Sequence, residues 1–193
     1  MGSKRTRASV TSLAATLLVS AIATSLLSCT ATRGRWSEGW YSEQLSLKGS
    51  GHTQRMELRY QPGEPGNSWI KSPSAASDIA YYNEAMGATM YADSSCAGRY
   101  EDAPLVVLLN HLLFGFTEVE VKAEYEKELS GRAALTREAS ARLDGVPIEV
   151  AATVTKNGPC VFDLVFVGTP GSLEIAHEQH QTFLSGLIVE YQP

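Results

Sequence analysis

The chain has 193 residues, of which 44% are hydrophobic, so it is long enough for one globular domain with a sizeable core. It carries 16 Lys and Arg against 21 Asp and Glu, a formal net charge of -5. A nucleic-acid-binding protein needs a basic face to neutralise phosphates, so this balance argues against nucleic acid as a partner. Three cysteines are too few for a small domain held together mainly by disulfides.

Residues 1–28 have the layout of a secretory signal. Three basic residues precede an uncharged stretch over residues 8–28 that is rich in Leu, Ala, Val, Ser and Thr. The stretch ends in the sequence LLSC at residues 26–29, which resembles the lipobox of bacterial lipoproteins. The resemblance implies that Cys29 is lipidated after residues 1–28 are removed as a lipoprotein signal peptide. An uncleaved transmembrane anchor remains the alternative, because residues 8–28 are just long enough to span a bilayer.

The same resemblance implies a mature chain that begins at Cys29 and is held at a membrane by acyl chains such as palmitate. Residues 29–39 would form the lipidated anchor and spacer, and residues 40–193 a single globular domain. Thr30 directly after the lipidated cysteine implies delivery to the outer membrane, facing the periplasm. Without the three basic residues of the signal, the net charge becomes about -8.

Alternating apolar and polar residues predict two strands near the start of the domain, over residues 41–47 and 54–60. The glycine-rich segment between them, residues 48–51, is typical of a hairpin turn. Apolar residues spaced three and four apart then predict a short helix over residues 77–86 that stops at a glycine. A further strand is predicted over residues 88–92.

The strongest helix signal comes next. Five leucines at helical spacing predict a buried helix over residues 105–115, with Asp102 as its N-cap. The pattern then changes, because apolar residues at the odd positions of 119–125 alternate with Glu and Lys. This alternation predicts a strand with one apolar and one solvated face, although Glu, Lys and Ala also favour a helix.

Three more runs, residues 133–143, 148–155 and 160–167, have strand character. They are separated by the dipeptides Asp144-Gly145 and Asn157-Gly158, which supply the positive φ angles that tight hairpin turns require. These runs predict an antiparallel meander.

A closing helix is predicted over residues 173–189. The simplest fold is then of the α/β (α+β) class, with an antiparallel-rich sheet of about six strands sandwiched by helices. The order of elements, with the sequences GRA at 131–133, LDGVP at 143–147 and CVFDL at 160–164, resembles the Mog1/PsbP-like fold. The resemblance spans residues 39–189 and implies a binding, assembly or accessory protein, since no catalytic motif of a family is carried with it.

Lipidation of Cys29 would leave Cys96 and Cys160. An even pair of cysteines in an oxidising periplasm predicts a disulfide between them. Two buried thiols that pack as small hydrophobic side chains are the alternative. Closing a loop of about 64 residues would stabilise the fold by on the order of 4 kcal/mol in the chain-entropy model.

The sequence has no GxSxG, HExxH or CxxC motif and no nucleotide-binding glycine pattern. His177 and His180 are three residues apart on the predicted last helix, but a solvated helix face is favoured over a metal site, which needs three or four convergent ligands. Trp36, Trp40 and Tyr41 would follow the anchor closely enough to contact lipid headgroups or a partner. Packing of Trp40 and Tyr41 on the first strand is the favoured alternative.

These features predict a lipid-anchored envelope protein without enzymatic activity or cofactor, which acts as an interaction or accessory module for a protein partner. A periplasmic small-ligand-binding protein is the alternative, and a hydrolase with its site in the loops is a weaker one. A closed core with an exposed apolar patch would favour the interaction module. A pocket with a few convergent polar groups would favour the ligand-binding protein.

Overall fold

The computed structural model of the protein describes residues 34–48, 53–72, 76–96 and 103–193. Within them the chain forms two antiparallel sheets and three helices. The strands in chain order are β1 (Arg35–Ser37), β2 (Trp40–Lys48), β3 (Thr53–Gln61), β4 (Ile70–Lys71), β5 (Ile79–Asn83), β6 (Ala88–Cys96), β7 (Thr117–Leu129), β8 (Arg132–Leu143), β9 (Val146–Asn157), β10 (Cys160–Gly168) and β11 (Ile188–Gln192).

The smaller sheet has four strands in the order β1-β2-β3-β11, and the larger has seven in the order β4-β5-β6-β10-β9-β8-β7. The mixed α+β class with antiparallel sheets is therefore confirmed. The prediction of about six strands in one sheet is wrong, because the described residues form eleven strands in two sheets. β1 also lies within residues 29–39, which the sequence assigned to the spacer, so the folded domain begins before residue 40.

The helices are α1 (Leu105–Leu112), α2 (Ser172–Ile175) and α3 (His177–Ser185). The large sheet is the middle layer of the fold. Its one face shares a core with the small sheet and α3, and its other face packs against α1, which makes its contacts with β8 and β9. In the part of the chain that the structure describes, none of the helices has the length and apolar character needed to cross a bilayer.

The leucine-rich helix is confirmed as α1, with Leu108 and Leu109 buried against the sheet. Asp102, its predicted N-cap, lies outside the described residues. The residue that precedes the first turn of α1 is Pro104, and no side chain caps the helix there. Proline is tolerated at this position because the first helical N–H groups have no partner within the helix.

Two predicted helices are wrong in whole or in part. Residues 77–86 contain β5, in which Ile79, Ala80 and Tyr81 are buried in succession between β4 and β6. The closing helix ends at Ser185, and the residues after it form β11, which pairs with β3. The apolar spacing of both segments fits a helix as well as a strand. Hydrogen-bonded pairing with another strand makes both of them strands.

The strand predicted over residues 119–125 is confirmed, but its faces are not those predicted. Val121 stands opposite Ala139 and Ala123 stands opposite Glu138, so Lys122 is an extra residue in a β-bulge. Because side chains alternate along a strand, the bulge moves the odd-numbered residues to the other face of the sheet. Val121 therefore lies on the α1 face, whereas Tyr125 lies on the opposite one.

The hairpin turns of the meander are confirmed. Asp144 and Gly145 have φ angles of 51° and 82°, and Gly158 has a φ of 55°. A third turn of this kind joins β7 to β8 through Ser130 and Gly131, with φ angles of 50° and 71°. These left-handed conformations give the turn a twist that matches the flanking strands. The glycine-rich turn predicted at residues 48–51 lies largely outside the described residues.

The predicted disulfide is confirmed. Cys96 ends β6, Cys160 begins β10, and the strand register places the two residues opposite each other with an S–S distance of 2.03 Å. The bridge therefore joins neighbouring strands at one end of the large sheet.

The half-buried carboxylate of Asp78 links the two sheets. Tyr60, in β3 of the small sheet, donates its hydroxyl hydrogen to Asp78 Oδ2 at 2.8 Å. Ser94, in β6 of the large sheet, donates its backbone N–H at 2.8 Å and its hydroxyl at 2.7 Å to the same oxygen. The Asp78 backbone N–H is donated to Asp93 Oδ1 at 2.8 Å. Burial, and then the charge of Asp78, raises the pKa of Tyr60 well above its usual value.

Replacing Asp78 by Ala should lower the free energy of unfolding by roughly 1–3 kcal/mol, because the backbone and hydroxyl donors of Ser94 would lose their acceptor and the Tyr60 hydroxyl would keep only its 3.3 Å contact with the Ala92 carbonyl oxygen. Urea denaturation monitored by circular dichroism measures the loss. Glu64→Ala, at an exposed carboxylate, serves as the control and should leave stability within about 0.5 kcal/mol of the parent. A double variant with Tyr60→Phe should lose less than the sum of the single changes. Additive losses would contradict the network.

Candidate functional site

The three aromatic residues behind the predicted anchor occupy different environments. Tyr41 is buried, with its ring 5.3 Å from that of Tyr60. Trp36 is half-buried and packs edge-on against Tyr81 at 5.4 Å. Trp40 begins β2 and is also half-buried, with the Arg59 guanidinium 4.8 Å from its ring centre. Packing within the fold thus occupies all three rings.

Cys29, the predicted lipidation site, lies outside the described residues and stays a prediction. His177 and His180 do not share a face of α3, because His177 is exposed and His180 is fully buried beside Phe166. The interpretation of both as residues of a solvated helix face is therefore wrong for His180. Among the described residues, no three His, Cys, Asp or Glu side chains are grouped in a way that could hold a metal ion.

His180 is a buried base that folding keeps neutral. Burial, then the positive charge of Lys127 and the neighbouring His177, lowers its pKa to about 3. Neither ring nitrogen has a hydrogen-bond partner among the described residues. The burial of His180 depends on how α3 packs onto β10. The sequence around a single histidine in a helix does not indicate such burial.

An exposed apolar surface lies at the end of the large sheet where β8 turns into β9. Leu143 and Val146 face each other across the hairpin and are 43% and 61% exposed. Val121 is 54% exposed on the same face of β7, and Phe114, just after α1 and before β7 begins, is 88% exposed. We call these four residues the apolar rim. One feature of the sequence indicates the apolar rim. Apolar residues flank the turn dipeptide Asp144-Gly145, at positions where polar residues are more usual.

Carboxylates follow the apolar rim along β7, on the same face of the sheet. After the bulge of β7, Glu124, Glu126 and Glu128 point to the α1 face and are exposed. The guanidinium of Arg137 forms an ion pair with Glu124 and also donates to the Asn110 side chain at 2.7 Å. Arg137 thereby joins β8 to both β7 and α1. The α1 face consequently combines an apolar end with an acidic edge strand.

A charged pair holds the opposite face of the sheet. Lys122, the bulged residue, contacts Glu149 at 2.7 Å, and Glu149 also accepts the backbone N–H of Leu173 in α2 at 3.2 Å. Burial alone would raise the pKa of Glu149, but the hydrogen bonds from Lys122 and Leu173 outweigh it and lower the pKa. The pair therefore connects β7, β9 and α2, so that the opposite face is covered while the α1 face stays open.

No protein-family model and no curated protein matches the chain. Among solved structures it is similar to LpqN, involved in cell envelope biogenesis of Mycobacterium tuberculosis, with a TM-score of 0.51 and 14% identity over 80% of this chain and 92% of LpqN. It is similar to cyanobacterial PsbP (CyanoP) from Synechocystis sp. PCC 6803, with a TM-score of 0.47 and 13% identity over 70% of this chain and 86% of that chain. It is also similar to PA94, a protein of unknown function from Pseudomonas aeruginosa, with a TM-score of 0.41 and 14% identity over 73% of this chain and 95% of that chain. At these identities, the LpqN similarity shows a common fold and nothing finer.

The low pKa of His180 makes stability depend on pH. The pKa is about 3 in the folded protein against 6.5 in an unfolded chain, so only the unfolded chain takes up the proton between these values. The free energy of unfolding should therefore fall between pH 6.5 and about 3, by up to about 1.4 kcal/mol per pH unit from this residue. Urea denaturation across this range measures the slope.

His180→Leu should flatten that slope, and His177→Leu, a matched change at an exposed position, should leave it unchanged. Other groups that titrate over the same range are common to both variants, so the difference between the variants isolates His180. Equal slopes in the two variants would show that the imidazole of His180 is accessible to protons in the folded protein.

Proposed function

We propose that the protein is a non-catalytic interaction module, held at the cell envelope by lipid on Cys29, which binds a protein partner through its α1 face. The apolar rim is the observation that carries the proposal. Other large apolar residues are exposed as well, including Ile70 on β4, Val107 on α1 and Ile175 on α2, whereas Leu143, Val146 and Val121 share one face of the large sheet. The core between the two sheets is buried. Exposed apolar residues gathered at one end of a sheet are typical of a protein contact surface.

The charges on the rim's face of the sheet define the chemistry of the partner. Glu126 and Glu128 are exposed on this face of β7, farther along the strand from the rim, and the mature chain carries a net charge of about -8. This potential repels anionic lipid headgroups and attracts basic groups. The occupant that fits is therefore a protein segment with apolar side chains flanked by Lys or Arg, and a bilayer surface fits less well.

Three observations support the proposed location. The LLSC sequence at residues 26–29 supplies a lipidation signal, and the Cys96–Cys160 bridge is of the kind that persists in oxidising compartments. The structurally similar LpqN is itself an envelope-biogenesis protein. Thr30 after the lipidated cysteine favours the outer membrane, with the domain facing the periplasm.

Lipidation can be tested by intact mass spectrometry of the protein extracted from a bacterial host. The expected mass is that of a chain starting at Cys29 with acyl chains attached. A palmitate analogue supplied to the cells should label the parent protein and the control Ser37→Ala but not Cys29→Ala. A full-length, unacylated mass would instead establish the uncleaved transmembrane anchor.

The contact surface can be tested by placing a photoreactive phenylalanine analogue at position 114 or 146 in living cells. Position 175 is the matched control, because Ile175 is equally apolar and 71% exposed on α2, which covers the other face of the sheet. Crosslinks to a protein should form from positions 114 and 146 but not from 175. Mass spectrometry of the crosslinked peptide should find Lys or Arg beside apolar residues.

Charge reversal provides a second readout of the same surface. Glu126→Lys with Glu128→Lys should reduce the crosslink yield several-fold, whereas Glu174→Lys with Glu178→Lys, on the opposite face, should not. Adducts only to phospholipid, adducts to a second copy of this chain, or equal yields from position 175 would each overturn the proposal.

A further inference from the structure

One side of β7 has no strand beside it among the described residues. β7 is the last strand in the order of the large sheet, and its described partner is β8. The strand is 13 residues long. A strand at the edge of a sheet presents backbone N–H and C=O groups that can pair with a strand of another chain. The open side of β7 is therefore a surface to which an extended segment can be added.

The turn between β7 and β8 determines which backbone groups point to the open side. Leu129 stands opposite Arg132 across the two-residue turn Ser130-Gly131, so this pair exchanges both of its backbone hydrogen bonds. The direction of hydrogen bonding alternates along an antiparallel pair. The odd-numbered residues from 125 to 129 therefore bond to β8, and the even-numbered residues direct their N–H and C=O groups away from it. We call the backbone groups of three of these residues the β7 edge: Glu124, Glu126 and Glu128.

The residues of the β7 edge also form a row of carboxylates. Their side chains are exposed on the α1 face of the sheet. Glu124 forms an ion pair with Arg137, whereas Glu126 and Glu128 stand opposite uncharged residues of β8. In an added antiparallel strand, the residues directly opposite these glutamates would have Cα atoms about 5.5 Å away and side chains on the same face. Positive charges at every second position of the added strand fit this row.

The other face of β7 favours a different kind of side chain. Tyr125 and Lys127 alternate with the glutamates and are half-buried on that face. The Tyr125 hydroxyl donates to Glu138 Oε1 at 3.0 Å. The ammonium of Lys127 donates to Gln181 Oε1 at 3.2 Å. The polar ends of both side chains are thus engaged within the domain, which leaves a ring and an alkyl chain for β-branched apolar side chains to pack against.

Two features restrict what can be added. The bulge at Lys122 interrupts the regular alternation of hydrogen bonds, so the regular edge runs from Glu124 to Glu128 and takes a strand of about five residues. A second copy of this chain fits badly. Antiparallel pairing of two such edges would place glutamate opposite glutamate, and like charges in that position are destabilising.

We propose that the β7 edge adds an extended segment of a protein partner as a further strand, antiparallel to β7. This segment carries Lys or Arg at every second position, facing the glutamates, with β-branched apolar residues between them. The inference rests on the protein contact proposed above and specifies how the partner binds, since β7 also carries Val121 of the apolar rim. Backbone hydrogen bonds supply affinity in such strand addition, and the alternating side chains supply specificity.

Hydrogen exchange followed by nitrogen-15 NMR of the detergent-solubilised protein tests the pairing, with the synthetic peptide acetyl-TKVKVKT-amide as the probe. In the protein alone, the amide hydrogens of Glu126 and Glu128 should exchange faster than those of Tyr125 and Lys127, which bond to β8. The peptide at about ten times its Kd should slow exchange at Glu126 and Glu128 about tenfold.

Modified peptides separate strand pairing from simple attraction between charges. N-methylation of the three lysines removes the N–H groups that would face β7, so it should abolish binding. N-methylation of the two valines alters N–H groups directed away from β7, so the affinity should stay within about threefold. The peptide acetyl-VTKKKTV-amide has the same composition with contiguous lysines, and it should bind about fivefold more weakly.

Variants of the protein test the row of carboxylates. Glu126→Gln with Glu128→Gln should weaken binding of the alternating peptide about fivefold, because two cross-strand ion pairs are lost. Glu174→Gln with Glu178→Gln, the same change in the helices that cover the other face of the sheet, should leave binding unchanged. All four substitutions are at exposed positions, so both variants are expected to fold, which circular dichroism checks.

Unchanged exchange at Glu126 and Glu128 with the peptide at about 1 mM would overturn the proposal. Equal binding of the two N-methylated peptides would also overturn it, as would slowed exchange that appears when the protein alone is concentrated, which would indicate a second copy at the edge. Crosslinks from positions 114 and 146 that persist after such a result would leave the protein contact standing without strand addition. Loss of those crosslinks with peptide protection retained would instead count against the contact at the apolar rim.

Discussion

The two sheets are tied together by one carboxylate. Asp78 collects hydrogen bonds from Tyr60 of the small sheet and from the backbone and side chain of Ser94 in the large one. Removing a carboxylate even partly from water costs free energy unless hydrogen bonds replace those to water. The requirement fixes the position of β3 over β6, and it places the aromatic core, with Tyr60 against Phe162 at 5.1 Å, between the sheets.

That arrangement leaves the two faces of the large sheet unequal. Among the described residues, one face is covered by four strands and α3, and the other by α1 with Ala103, Leu113 and Phe116 beside it. An eight-residue helix is shorter than strands of nine to thirteen residues, so α1 itself covers only part of that face. The apolar rim lies on this partly covered face.

Local sequence predicted the elements whose partners are close in the chain. The hairpins β7–β8, β8–β9 and β9–β10 have short turns with left-handed residues, and α1 has an unbroken leucine stripe. Two segments were assigned wrongly: β5, whose apolar spacing fits a helix although its partners β4 and β6 are neighbours in the chain, and β11, whose partner is distant. β11 pairs with β3 of the small sheet. The spacing of apolar residues within one segment cannot indicate pairing with a strand that is distant in the chain.

The candidate sites were visible in the sequence to unequal degrees. The aromatic residues, the cysteine pair and the leucine helix stood out by residue type. The bulge at Lys122 did not, and it decides which side chains of β7 share the α1 face. The burial of His180 depends on the packing of α3, so it does not follow from spacing alone.

The position of β11 has a consequence for how the chain matures. The small sheet is built from the first three strands of the domain and from β11, the last one to be synthesised. β3 has no partner on that side until the segment ending at Gln192 has left the ribosome. A nascent chain therefore cannot complete this sheet until synthesis has passed β11, and until then one edge of β3 lacks the partner that it has in the folded domain.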